Sequence, residues 1–228
     1  MREFFPILQK CRLFDGISQA DLEKMLNCLP ARHKSFIKNS FILTAGEKTG
    51  NAGIVLTGAA HIVNDSYEGR RKIIERTTIG GLFVEDFVCA NVEKLSVSVV
   101  AAEETEVLFI DCKRIVSTCP SACVFHTRLI RNFTILMAEK NISKLQKMEH
   151  ITQATTREKL LSYLTNEARL AGKKKFTISF NREELAHYLS VERSGLSAEL
   201  SKMQDDGLIH YQGNQFELLN PQGPIHYA

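Results

Sequence analysis

The stretch from Pro120 to about Ile151 contains no glycine and no internal proline. It carries Phe125, Leu129, Ile130, Phe133, Leu136, Met137, Ile142, Leu145 and Met148 at helical spacing. At 1.5 Å per residue this predicts a helix about 45 Å long. A rod of that length outruns the core of a small domain and separates the N-terminal part of the chain from the C-terminal part. Its apolar stripe needs a partner. The apolar set is too broad for a strict two-in-seven seam. This predicts one face packed on the preceding segment and another on the same helix of a second subunit, with Lys140, Lys144 and Lys147 on a wetter portion.

The two flanks differ in period. Residues 1 to about 30 read as helical. Ser18 is placed as an N-cap with Asp21 three residues on, Leu22, Met25, Leu26 and Leu29 come next at helical spacing, and Pro30 stops the run. From Arg32 to Asp111 the period shifts toward two. The runs "SFILTA", "AGIVLTGAAHIVN", "RRKIIERTTI", "LSVSVVAA" and "EVLFID" are rich in β-branched residues and broken by glycines. Short strands at this spacing predict an antiparallel sandwich or barrel. Behind the long helix, "KKKFTISF" reads as a strand and Asn181 caps a helix to Leu189, with Glu184 completing a capping box. A second helix runs from Arg193 to Met203, and "GLIHYQGNQFELLN" is a hairpin turning at Gly213-Asn214. Ala186 fills the small position where the helices cross, and Leu185, Leu189, Val191, Leu196 and Leu200 line the inner faces. Strand, helix, helix and hairpin make a winged helix. The second helix keeps a polar face of Arg193, Ser194, Ser197 and Ser201, suited to a major groove.

Composition excludes other classes. Hydrophobic residues make up 44% and charged residues 24%, which argues against disorder. No apolar run approaches the ~20 residues that span a bilayer. The N-terminus shows no signal-peptide pattern, so the six cysteines are expected to be reduced thiols in the cytoplasm. A net charge of +3 does not by itself identify a nucleic-acid binder. From Thr152 to Ala228 nine basic residues balance nine acidic ones, so DNA binding must come from their distribution. Lys173–Lys175, Arg182 and Arg193 would face the duplex, and Asp205 and Asp206 would face away. No P-loop, dinucleotide fingerprint, nucleophile elbow or zincin motif is present, and an enzyme is not expected. Glu85-Asp86, read as adjacent residues on a strand, point to opposite faces and make a poor acid–base pair. Cys11 and Cys28 are too few and too far apart for an iron–sulfur cluster, whereas Cys119 and Cys123, at i and i+4, could share a helix face. No metal or cofactor is expected.

The order of these parts resembles the cyclic-AMP receptor/FNR (Crp/Fnr) family of bacterial transcription regulators over essentially the whole chain. The segments that carry the resemblance are "LAHYLSVERSGLSAELSKMQDDGLI", "TREKLLSYLTNEA", "LFDGISQADLEKML" and "IGGLFVEDF". The resemblance implies an α+β protein. A cyclic-nucleotide-binding-like β-roll would occupy 1–118, a dimerisation helix 119–151 and a winged-helix DNA-binding domain 152–228. It implies a homodimer on palindromic double-stranded DNA, a small-molecule effector and contact with RNA polymerase. On this basis Arg193, Ser194, Gly195, Ser197, Ala198 and Ser201 are the expected base-reading face, with Lys174 and Arg182 beside it. Arg193 matches the family's first base-contacting arginine, while Ser194 and Ala198 stand where a glutamate and a second arginine are usual. Around the effector, Phe83, Glu85, Leu95, Ser96 and Val97 are expected to line the pocket, with Ile142 and Ser143 near its mouth.

The departures bear on the effector. Members that bind cyclic nucleotide carry a glutamate for the ribose and an arginine for the cyclic phosphate. Here Gly81 or Leu82 is expected at the glutamate position, and Leu95, before Ser96, at the arginine position. Lys94 would point to the opposite face of an extended strand. Losing the charge-assisted contact costs about 2–3 kcal/mol, so the pocket is not expected to serve cyclic AMP. The rival readings are a ligand-binding protein whose winged helix contacts protein, and a thiol redox sensor.

Overall fold

The structure, a computed structural model, describes residues 4–28, 31–65, 71–116 and 124–219. They form two compact units, 1–141 and 142–228, and the boundary falls inside the long helix.

The first unit opens with α1 (Phe5–Leu8), a 3₁₀ turn (Arg12–Phe14) and α2 (Gln19–Cys28). The Asp21 amide donates to Ser18 Oγ at 3.2 Å, the cap expected from the sequence. Eight strands come next: β1 (Ala31–Phe36), β2 (Phe41–Leu43), β3 (Ala52–Thr57), β4 (Ala59–Asp65), β5 (Arg71–Thr78), β6 (Leu82–Phe83), β7 (Ser98–Ala101) and β8 (Thr105–Ile110). They build two four-stranded sheets, β1-β8-β3-β6 and β2-β7-β4-β5, with every pairing antiparallel. Two short helices interrupt them: α3 (Glu85–Cys89) after β6 and α4 (Cys112–Val116) after β8.

The period of two decides which core each residue joins. Ile54, Leu56, Leu108 and Ile110 point out of the first sheet into a cluster with Leu8, Leu13, Phe14, Leu22 and Met25 of the helical segment. Val55, Val107 and Phe109, the alternate residues, point between the sheets and meet Ile42, Ile62, Val99 and Ala101. Gly53 on β3 has no substitute: an added Cβ would lie 1.9 Å from the Phe83 ring. Strand β1, "ARHKSF", has no clear apolar alternation and is largely exposed, so only its pairing with β8 from Ala31↔Ile110 to Phe36↔Thr105 reveals it.

Helix α5 spans Val124–Thr152. Leu129 and Phe133 are buried in the helical cluster of the first unit, and Phe125, Leu136 and Met137 pack against it. Asn132 Nδ2 donates to the carbonyls of Leu13 (3.0 Å) and Asp15 (2.9 Å).

The second unit continues with α6 (Thr156–Ala171), β9 (Lys175–Thr177), α7 (Arg182–Leu189), α8 (Arg193–Asp205), β10 (Ile209–Gln212) and β11 (Gln215–Leu218). The strands pair in the order β10-β11-β9. Thr155 with Glu158 and Asn181 with Glu184 form reciprocal capping boxes that start α6 and α7. Ser190 takes the left-handed conformation, φ 55°, between α7 and α8. Leu160, Leu164, Leu185, Leu189, Leu196, Leu200, Met203 and Phe216 make the core. Among the described residues, no helix is long and apolar enough to cross a membrane.

Candidate DNA-reading face and sensor interior

On α8 the helical period separates two sets. Leu196, Leu200 and Met203 are buried. Arg193, Ser194, Gly195, Ser197, Ala198 and Ser201 are all exposed. The structure therefore brings six of the eight residues expected at DNA onto one open helix face. A Cβ added to Gly195 would meet nothing within 4 Å, so packing of the chain alone does not require glycine there. Two acidic residues of this region, Glu199 and Asp206, are held by Arg157 of α6. Its Nε lies 2.5 Å from Glu199 and its Nη1 lies 2.7 Å from Asp206. That pairing offsets two of the acidic charges in a segment with no excess positive charge.

Lys174 is exposed just before β9. Arg182 is placed differently from the open residues. Its guanidinium lies over the rings of Tyr211 (4.8 Å) and Phe216 (5.0 Å), and Nη2 donates to the Gly213 carbonyl at 2.6 Å. It clasps the hairpin turn, a role that sequence spacing did not reveal because the hairpin lies about thirty residues downstream. Two contacts join the end of α5 to this unit. Lys147 Nζ sits 4.2 Å from the centre of the Tyr188 ring, and His150 Nδ1 is 2.7 Å from Ser162 Oγ. His150 is buried, which lowers its pKa and favours the neutral ring.

In the sensor unit, the residues expected around an effector separate. Phe83, Leu95 and Val97 come together, but as buried members of the cluster between the sheets. Ser96 is exposed, and Leu95 to Val97 precede β7, with Ser96 and Val97 in a bend, instead of lying in an extended strand. The Leu95 amide and carbonyl bond to Glu47 O (3.0 Å) and Gly46 N (2.8 Å). Ile142 and Ser143 are exposed on the part of α5 that belongs to the second unit. Neither expected place for the ribose-binding glutamate is open. A Cβ on Gly81 would lie 2.6 Å from Thr77 Cγ2, and Leu82 is buried in the helical cluster.

The acid this region does hold is Glu85, in the first turn of α3 and not on a strand. Val84 before it sits at φ 55°, a strained conformation for a β-branched residue. The Glu85 side chain is 2% exposed, and its Oε1 lies 2.7 Å from Lys140 Nζ of α5. Lys140 also meets Glu75 of β5 at 2.9 Å and donates to the Leu82 carbonyl at 2.7 Å. Lys140 thus corrects the expectation of a wet face. It is a mostly buried pin between the long helix and the β-roll. Glu85 Oε2 is buried without a hydrogen-bond partner. Burial raises the Glu85 pKa despite the lysine, while the two carboxylates hold the Lys140 pKa up against its own burial.

The thiols divide likewise. Cys119 and Cys123 lie outside the described residues. Cys11 is buried and its Sγ donates to the Gly80 carbonyl at 2.8 Å. Among the described residues, no group of three or more histidine, cysteine, aspartate or glutamate side chains could hold a metal.

A two-sheet β-roll, a long helix and a winged helix with an open polar recognition face define a sensor joined to a DNA-binding module. Residues 33–119 match the cyclic nucleotide-binding domain and residues 158–223 the Crp-like helix-turn-helix domain, together more than half of the chain. The chain belongs to the Crp/Fnr family and is a DNA-binding transcription regulator of that type, with a cyclic-nucleotide-binding domain. Solved structures share the fold. The c-di-GMP responsive global regulator CLP of Xanthomonas campestris matches with a TM-score of 0.69 at 16% identity, over 89% of this chain and 100% of that one. FixK2 of Bradyrhizobium japonicum matches with 0.64 at 20%, over 84% and 94%. A CooA mutant of Carboxydothermus hydrogenoformans matches with 0.63 at 18%, over 87% of each. No curated protein matches the sequence.

Proposed function

We propose that the protein is a homodimeric regulator that reads a palindromic operator through α8 and does not take its signal from cyclic AMP. The observation that carries the DNA reading is the division of α8 into a buried apolar face and an exposed one headed by Arg193. Arginine reads guanine bidentately, whereas Ser194 and Ser197 discriminate weakly. A twofold dimer would place half-sites about one helical turn apart.

The dimer is supported by what α5 leaves over. Once Phe125, Leu129, Phe133, Leu136 and Met137 are committed to the first unit, Ile135, Ala138, Ile142 and Leu145 are among the apolar residues that remain, with Ile130 and Met148. From Ile135 to Leu145 the steps of three, four and three are the a/d spacing of a coiled-coil seam. Ile135, Ile142 and Leu145 are 41%, 54% and 58% exposed. A second copy of the same helix is the occupant this spacing fits.

The test is a mobility shift on a selected operator and on random DNA, titrated with salt. Affinity should fall steeply as salt rises. Arg193→Ala should cost about 1–3 kcal/mol on the operator and relax one position per half-site, and Lys174→Ala should weaken all sequences alike. Salt-independent binding, or an unchanged operator-to-random ratio for Arg193→Ala, would overturn this reading. The former would favour a winged helix that contacts protein.

A further inference from the structure

Helix α8 ends on Asp205 and is capped by Asp206. A carboxylate there faces the negative end of the helix dipole and disfavours the helix. A cation from another element answers it. Arg157, the second residue of α6, places Nη1 2.7 Å from Asp206 and Nε 2.5 Å from Glu199. These two carboxylates stand seven residues apart on α8, about 10 Å along its axis. One guanidinium thus ties two turns of the helix that carries Arg193. We propose that Arg157 is a positioning residue for base reading, setting the angle at which α8 presents Arg193 without itself touching the duplex. The inference rests on the reading of α8 as the base-reading helix.

The guanidinium reaches out from a fixed turn. Thr155 and Glu158 flank Arg157 and close the capping box of α6, the Glu158 amide donating to Thr155 Oγ at 3.2 Å and the Thr155 amide to Glu158 Oε2 at 3.0 Å. Leu160, one turn on, is fully buried. The grip falls on the back of α8. The helical period sets Glu199 beside the buried Leu196, Leu200 and Met203, away from Arg193, Ser197 and Ser201. The exposed face is therefore left open. Apolar packing alone is non-directional and resists a small rotation or slide of α8 weakly. Two charge-assisted hydrogen bonds from separate nitrogens of one rigid fork do fix a direction. Ion pairs with this much exposure add little to stability, so the effect of this one belongs to the geometry of reading and not to the melt.

The test measures the affinity of the full-length protein for its selected operator and for random DNA, in the unaltered chain, Arg157→Met, Glu199→Gln and the double variant. A well-aligned arginine–guanine pair discriminates by roughly 5- to 150-fold, so misaligning it should lower the operator-to-random ratio by about three- to tenfold in each single variant. The double variant should be no worse than either, because both changes remove one shared contact. Arg157→Lys, which keeps the charge but not the fork, should recover only part of the ratio. Charge acting at a distance moves the single variants in opposite directions on random DNA, Arg157→Met weaker and Glu199→Gln tighter. Only a positioning role lowers the ratio in both. An equal fall on operator and random DNA in Arg157→Met, with a salt slope smaller by about one, would make Arg157 a phosphate contact and overturn the proposal. So would an unchanged ratio in Glu199→Gln, the variant that carries the test alone if Arg157→Met does not fold. An unaltered protein that prefers no operator over random DNA would overturn the reading of α8 itself, and this proposal with it.

Discussion

At Gly195 a single residue faces two demands. Glycine costs a helix about 1 kcal/mol relative to alanine, and an added Cβ would meet nothing within 4 Å in the free chain. Gly195→Ala should therefore raise stability by up to about 1 kcal/mol in a urea melt. If the backbone of α8 approaches the groove at that point, operator affinity should fall in the same variant. A gain in both would place Gly195 away from the duplex. Lys140 is the opposite case, a charge whose neighbours already need it. Lys140→Met leaves the buried Glu85 carboxylate without its cation, at a cost of about 3–5 kcal/mol. Because Glu85 titrates above its unfolded value, the folded state holds the extra proton. Stability should thus fall as pH rises from the ordinary glutamate range through the raised one. Glu85→Gln should flatten that slope, which urea melts at a series of pH values would show. No local pattern in the sequence betrays this pin, since Glu75, Glu85 and Lys140 come from β5, α3 and α5 and converge only in three dimensions. By contrast Arg193, Ser197 and Ser201 were legible, because one helix period places them on one face.

At the scale of elements, the winged helix was readable because its signals are local: the Asn181–Glu184 capping box, the apolar inner faces and the Gly213-Asn214 turn. Strand β1 and the bend at Ser96–Val97 were not, because pairing partners and packing decide them. Helix α5 shows the limit of reading a stripe. Its apolar residues are too numerous for a coiled-coil seam until the share claimed by the β-roll is set apart. Phe133, an obvious candidate for the dimer contact, is 5% exposed in the core of its own unit. A charge there would damage the fold before it tested the dimer. The informative change is Ile142→Asp with Leu145→Asp, at residues more than half exposed in the single chain. Sedimentation should report monomers with unchanged far-ultraviolet dichroism and an unchanged melt of the monomeric fold. A dimer that survives this pair would place the interface elsewhere.

For the whole molecule, the fold and the signal it answers are separable. The β-roll keeps the architecture of a cyclic-nucleotide-binding domain, and several of the residues expected around the phosphate are buried members of its inter-sheet cluster. Phe83, Val84, Leu95 and Val97 are each at most 5% exposed and belong to the cluster between the sheets. Cyclic AMP at 1,000 times a true Kd would add about 4 kcal/mol to apparent stability, and a millimolar addition should here move the melting temperature by nothing measurable. A response at micromolar nucleotide would refute the reading. The same packing predicts that the missing arginine cannot simply be put back. Leu95→Arg would place a guanidinium in the apolar cluster that also holds Ile42, Val99 and Phe109, and an unpaired buried charge costs several kcal/mol. The variant should lose stability without gaining nucleotide affinity, as paired melts with and without cyclic AMP would reveal. A variant that folds normally and is stabilised by the nucleotide would mean that a single side chain, and not the packing of the whole interior, separates this sensor from a cyclic-AMP receptor.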